Sequence, residues 1–369
     1  MFAYAKHDRK TLAAMTAIRV LFCVSALCVF AALPAHAAGG RTDTVSPAYP
    51  YSKSGVFASF VVESFRVSGA KNPDADARLF FHYMGSAIPV SMDDAKKSAV
   101  TTTTTIQARA AAERAVCAAL HKAIKKQIPR FSLDRGFEFT NTAKRGERQC
   151  YLQSVVIAAL LQRAGIPAGV AMVSRNENGD YCNNGHVVAV ARLSDNTDLV
   201  VDASEKTPFI AHQGLMVVVP ATGGYSYVAP VYDKTHRITA YRSLRTGKTL
   251  PPSDVALLDV PFLRSQFTYY RGERTPGGLF TAPLVTATGL ARSEQRLAQS
   301  VRECPRNPLA VYMLGRVQER RGNPVAAQKS YNNAYGLYLR YGWIPDEMNR
   351  ARTAVKQRKA GGGRMASAP

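Results

Sequence analysis

The stretch Gly146-Glu147-Arg148-Gln149-Cys150-Tyr151-Leu152-Gln153-Ser154-Val155-Val156-Ile157-Ala158-Ala159-Leu160-Leu161-Gln162-Arg163-Ala164-Gly165-Ile166-Pro167 decides the fold. Leu152, Val155, Val156, Ala159 and Leu160 recur at the spacing of one helical face, predicting a helix from about Arg148 to Ala164. Gly165 suits the left-handed residue that ends a helix, and Pro167 prevents its continuation. Cys150 therefore sits at a helix start. There the free backbone N–H groups and the positive dipole end favour a thiolate, the form that attacks a carbonyl. On its own, a cysteine in such a place reads as a small buried residue. Its downstream neighbours in sequence change that reading.

Three strand-like stretches follow: Ala168 to Ser174, Val187 to Leu193 and Leu199 to Asp202. The turn-rich segments Asn176-Glu177-Asn178-Gly179-Asp180 and Ser194-Asp195-Asn196-Thr197 separate them, which predicts an antiparallel meander. His186 stands at the start of the second strand. Asp202 ends the third, an apolar run in which an unpaired charge would be costly. Their separation of sixteen positions is even. Across a hairpin centred on Ser194 the two would face each other on one side of the sheet. Asp202 would then orient the imidazole of His186, and His186 would activate Cys150.

At these residues the chain resembles the transglutaminase-like core, within the broad papain-like architecture. Gln149-Cys150-Tyr151, Ala164-Gly165-Ile166-Pro167-Ala168, Gly185-His186 and Val201-Asp202-Ala203 carry the likeness over about residues 146 to 204. The resemblance implies Cys150 as nucleophile, His186 as general base and acid, and Asp202 as the orienting acid. Many members have Cys-Trp and His-Ala-Trp; this chain has Cys150-Tyr151 and His186-Val187-Val188. With the aromatic missing, Gln149 is the oxyanion donor that position alone suggests. Cys182 and His186, four apart, do not make a zinc site without a second pair of ligands. No phosphate-cradling loop or dinucleotide fingerprint is present, so no cofactor is expected.

Upstream, Ile106, Ala110, Cys117, Leu120 and Ile124 predict a helix that Pro129 stops, with Cys117 as a core residue. Val56 to Val67 is expected to supply a strand. Downstream, strands are expected at Leu215 to Val219 and Ser226 to Tyr232. Residues 251 to 285 hold five prolines and are expected to form a linker or irregular extension. From Leu290 the pattern is helical. Leu314, Gly315, Gly322, Ala327, Tyr331 and Ala334 resemble one tetratricopeptide repeat, with Gln318 where an aromatic is usual. One repeat cannot bury its own face, so it needs neighbouring helices or the preceding core.

Lys6, Arg9 and Lys10, then the uncharged run Val20 to Leu33, then Ala35-His36-Ala37, have the layout of an export signal. The run is too short for a membrane span. The net charge of +22 falls to +19 without residues 1 to 37, which carry four Lys/Arg and one Asp. A chain this basic is expected to adhere to anionic envelope polymers. Its basic residues are scattered and no recognition motif accompanies them, so no nucleic acid is expected. Cys117, Cys182 and Cys304 allow at most one disulfide if Cys150 stays free.

The expected class is α+β. The segments are a signal peptide (1–37), an N-terminal extension (38–100), a transglutaminase-like catalytic core with an antiparallel sheet (101–250), a linker (251–285), a small all-α repeat-like domain (286–360) and a disordered tail (361–369). The expected function is an exported, periplasmic or secreted, thiol-dependent acyl-transfer enzyme that hydrolyses an amide or peptide bond in a peptide or protein substrate. The alternative is a non-catalytic exported binding or assembly protein that holds a protein partner on the repeat-like helices.

Overall fold

The computed structural model describes residues 62–86, 105–280 and 284–362. The expected leader, most of the N-terminal extension and the last seven residues of the tail lie outside these. Within them the protein is mixed α and β. The helices are α1 (Pro73–Ser86), α2 (Ile106–Gln127), α3 (Phe139–Arg145) and α4 (Cys150–Arg163). The strand pair β1 (Arg130–Phe131) and β2 (Glu147–Arg148) flanks α3. The main sheet holds β3 (Ala168–Arg175), β4 (Tyr181–Arg192), β5 (Asp198–Val201), β6 (Gly214–Val219), β7 (Gly224–Tyr232), β8 (Arg237–Ser243) and β9 (Thr249–Leu250). Five helices complete the chain: α5 (Val260–Glu273), α6 (Ala287–Glu303), α7 (Pro308–Arg320), α8 (Pro324–Tyr341) and α9 (Asp346–Gly362).

The sheet is antiparallel, in the order β5-β4-β3-β6-β7-β8-β9, and β5 also pairs with β8. That pairing closes six strands into a barrel and removes the open edges. Val188, Val190, Ala171, Val173, Leu215 and Val217 form its inner core, while the alternate residues Val187, Ala189, Val170 and Met172 join the outer one. Both faces are buried, which is why these strands read as continuous apolar runs. Inside, Asp198 accepts two hydrogen bonds from Arg192 (2.7 and 2.9 Å) and one from Tyr241 (2.6 Å).

Helix α4 is buried on nearly every side rather than on one face. It lies between the barrel strands, α2 and α5. Ser154 donates to the Val187 carbonyl (2.9 Å) and Tyr151 to the Leu263 carbonyl (2.8 Å). A helix that is apolar all round belongs in a core, and truncating Leu152 would cost about 2–5 kcal/mol.

Two expectations need correction. Residues 62–67 are helical, not a strand; Phe65 packs there against Phe80 in a local aromatic cluster. The proline-rich stretch from 251 is not irregular throughout, because the 14-residue α5 lies within it. Pro261 lies in the first turn of that helix, where its missing N–H costs nothing, and Asp259 caps the start by accepting from Phe262 N–H (3.0 Å).

Helices α6 to α8 share one core with the barrel side. Gly272 of α5 and Gly315 of α7 permit close approach: a Cβ on either would stand 2.8 Å from Leu297 or 2.7 Å from the Tyr331 ring. Trp343, after α8, stacks on Tyr181 of β4 and meets Tyr227 of β7 edge-on. Among the described residues no helix is long and apolar enough to cross a membrane. Cys117, Cys150, Cys182 and Cys304 are all free thiols. Cys117 is fully buried, and burial pushes its thiol up to about 12.

Candidate functional site

The approach to Cys150 is fixed by backbone. The two-residue parallel ladder sets Arg130 against Glu147 and Phe131 against Arg148. Gly136 passes so close to the Arg148 carbonyl that a Cβ would stand 2.3 Å away. Gln149 then caps α4, its side-chain oxygen accepting from Tyr151 N–H (3.2 Å). Cys150 is the first helical residue and is 8% exposed.

His186 lies on β4 directly after Gly185, whose φ of +80° a side chain would resist. Its Nε2 donates to Asp202 Oδ2 at 2.6 Å. The imidazole also lies close enough to the Cys150 thiol for the two to act on each other's charge. Because Nε2 is committed to Asp202, Nδ1 is the nitrogen left for Cys150. The three residues singled out from sequence are therefore brought together, from a helix start, a strand and a strand end.

The two residues do not meet directly across the ladder. β4 and β5 pair Ala189 with Val201 and Val190 with Val200. Continuing that ladder sets Asp202 against Val188, two residues from His186. The contact is made on the diagonal, because the hairpin centres on Asp195 rather than Ser194.

Asp202 is completely buried and fully engaged. Its Oδ1 accepts from Ser204 N–H (2.8 Å), and its own N–H donates to the Pro208 carbonyl (3.1 Å). His121 (3.1 Å) and Lys125 of α2 pin the Glu205 carbonyl just beyond. A second imidazole, His212, donates from Nε2 to the same Oδ2 at 3.0 Å. His212 Nδ1 stands 3.3 Å from a Glu177 carboxylate oxygen without hydrogen-bond geometry. Nothing in the sequence around His212 signalled it: it lies alone in a loop between strands.

Burial alone would raise the Asp202 carboxyl and lower the His186 imidazole. The two groups reverse this for each other. Asp202 is held well below the usual carboxylate range by His186, then His212. His186 is raised well above its ordinary value by Asp202, with Cys150 adding to it. The arrangement favours an imidazolium between a carboxylate and a sulfur.

Helix α5 supplies what the linker reading missed. Tyr270, one turn after Gln266, donates to the Gly185 carbonyl (2.8 Å) and lies close enough to Cys150 for the two to act on each other's charge. Burial, then Cys150, raises its hydroxyl far above the usual range, so it stays a neutral donor.

Among the described residues, His186, Asp202 and His212 are the group whose ligand atoms could meet on one metal ion, lying within 4.8 Å of one another. Two ligands of a tetrahedral zinc at ~2.0–2.1 Å stand ~3.3 Å apart. The 2.6 Å contact of His186 with Asp202 is a hydrogen bond instead, and a metal would have to break it. Cys182 is close enough to His186 and Cys150 to feel their charges, but burial raises its thiol. Compared with models of known protein families, with curated proteins and with solved structures, the chain matches none.

Proposed function

We propose that this chain is a thiol-dependent acyl-transfer enzyme of the transglutaminase-like kind, acting as an exported hydrolase on an amide or peptide bond. One observation carries the reading. Cys150, His186 and Asp202 come from separate elements, yet His186 is hydrogen-bonded to Asp202 at 2.6 Å and Cys150 lies close enough to the imidazole to act on its charge. In this reading Cys150 attacks the carbonyl, His186 Nδ1 takes and returns the proton, and Asp202 holds the ring through Nε2. Water is the acceptor.

The test is turnover of an activated ester, p-nitrophenyl acetate. Cys150→Ala and His186→Ala should abolish it. Asp202→Asn should leave a residue, since losing an orienting carboxylate costs ~10⁴-fold in a serine triad. Ester turnover that persists in Cys150→Ala would sink the reading.

One observation favours a second reading, a non-catalytic binding protein. Cys150 is 8% exposed, and the cavity of about 10 Å³ that reaches Gly185 at the seam between barrel and helices is not lined by Cys150 or His186. In that case wild type would bind a protein partner through α7 and α8 and show no Cys150-dependent turnover.

A further inference from the structure

The chemistry just proposed needs a donor for the oxyanion that forms when the thiolate adds to a carbonyl. The donor suggested by position, Gln149, caps α4 with its side-chain oxygen, and its Nε2 is not among the buried donors left unpartnered. Tyr270 lies near the thiol, but its single proton is committed to the Gly185 carbonyl at 2.8 Å. One amide near Gly185 does keep a buried donor without a partner. Gln266 is 1% exposed, and its Nε2 has no hydrogen-bond partner. It points toward the Tyr270 hydroxyl without completing a bond to it. A Cβ placed on Gly185 would stand 3.5 Å from this nitrogen. Gln266 and Tyr270 are four residues apart on α5 and so share a side of the helix.

The direction of the Gln266 amide is set by a chain of hydrogen bonds that begins at a backbone N–H, whose polarity is not in question. Ala310 N–H donates to Asn307 Oδ1 (3.3 Å), which caps α7. Asn307 must then turn its Nδ2 away from α7, where it donates to Gln266 Oε1 (3.2 Å) and Ser265 Oγ (3.1 Å). Gln266 Oε1 is thereby spent on Asn307, and Nε2 must face the other way, toward Tyr270 and Gly185. Buried donors are almost always satisfied, so one left without an acceptor beside Gly185, the residue before His186, calls for a transient acceptor.

We infer that Gln266 Nε2 is the oxyanion donor of this site and that Asn307, at the head of the helical hairpin, is the residue that aims it. The inference rests on Cys150 being the nucleophile. In acylation the sulfur bonds to the carbonyl carbon, the π pair moves to oxygen, and the thiol proton rests on His186. Gln266 Nε2 and the Cys150 backbone N–H, which as the first of a helix has no intrahelical partner, hold the oxygen. As the carbonyl reforms, the bond to the leaving atom breaks, and that atom takes the proton from His186. Water then repeats the sequence on the thioester. The helical segment so becomes part of the catalytic apparatus.

Two reagents separate this role from a structural one. Acylation by p-nitrophenyl acetate passes through an oxyanion, whereas alkylation by iodoacetamide needs the thiolate alone. Both rates at Cys150 are measured on the full chain in wild type, Gln266→Leu and Asn307→Asp. Asp keeps the cap of α7 but presents oxygen to Gln266, so the amide turns over and its oxygen faces the thiol. Both variants should acylate ~10²–10³-fold more slowly, with alkylation within about twofold of wild type. Equal acylation in wild type and variants overturns the assignment of Gln266 while leaving Cys150 as nucleophile. A parallel fall in acylation and alkylation overturns it too, because Gln266 would then be shaping the site rather than holding an oxyanion. A wild type that shows no Cys150-dependent release of p-nitrophenol removes the nucleophile, and the inference falls with it.

Discussion

Tyr270 donates a hydrogen bond to the carbonyl of Gly185 at 2.8 Å, across 85 residues of sequence. This bond fixes the residue before His186 to helix α5. It explains why a segment outside the thiol–imidazole–carboxylate stretch matters to that stretch. Gly185 itself has no room to move: a Cβ there would stand 2.8 Å from both Leu309 and Met172.

Tyr270→Phe keeps the ring among Tyr151, Phe137 and Tyr269 and removes only the hydroxyl. The buried Gly185 carbonyl then lacks that donor, which should cost about 1–3 kcal/mol. Urea unfolding measures this. An unchanged midpoint would mean that the bond does not hold the strand.

His212 competes with His186 for one oxygen of Asp202. His212→Leu removes that competitor and fills much of its volume. Asp202 then becomes the stronger acceptor toward His186, so the imidazolium should be harder to deprotonate. The alkaline limb of the pH profile for Cys150 acylation should move to higher pH. A limb that stays in place, or moves down, would contradict the coupling through Asp202.

The stability of the site should depend on pH in a set direction. His186 is raised in the folded state, so its pairing contributes fully below the unfolded value of ~6.5 and is lost as pH rises through the folded value. Asp202 is depressed, so its contribution is present above ~3.8 and is lost as pH falls toward the folded value. The melting-temperature gap between wild type and Asp202→Asn should thus be widest between about pH 4 and 6.5 and should narrow at both ends. A gap independent of pH would show that the two groups are not paired by charge.

The helical segment should not stand alone. Ser300 donates to the Ser265 carbonyl (2.7 Å) and Ser293 to the Gly272 carbonyl (2.7 Å), both on α5. Leu297 fills the space left by Gly272. Expressed without α5, residues 286–369 would expose this face of α6, and no cooperative melting is expected. A sharp calorimetric transition in the fragment would show it to be an independent domain.

Much of the candidate site was legible because its signals are local. Cys150 stands at a helix start marked by Gly165 and Pro167 at the far end, and His186 and Asp202 punctuate apolar runs. The register was not legible. Evenness of spacing permits either a direct or a diagonal meeting, and only the turn around Asp195 selects between them. Helix α5 was hidden by the prolines on either side of it, although Phe262, Gln266, Phe267 and Tyr270 keep helical spacing and Asp259-Val260-Pro261 is a sound helix start. His212 and Gln266 had no local signal. Each matters only through a partner distant in sequence, Asp202 or Asn307, and nothing short of the folded chain pairs them.

The central claim is that His186 activates the Cys150 thiol. The most direct measurement is the rate of Cys150 alkylation by iodoacetamide in wild type and in His186→Ala, from about pH 5 to 8. An ordinary thiol is mostly protonated over this range and gains reactivity steadily as pH rises. Wild type should react readily even at the acid end, while His186→Ala should fall sharply there and follow the ordinary thiol curve. The same rate in both proteins across the whole range would mean that thiol and imidazole are not coupled, and the proposed enzyme would have no activated nucleophile.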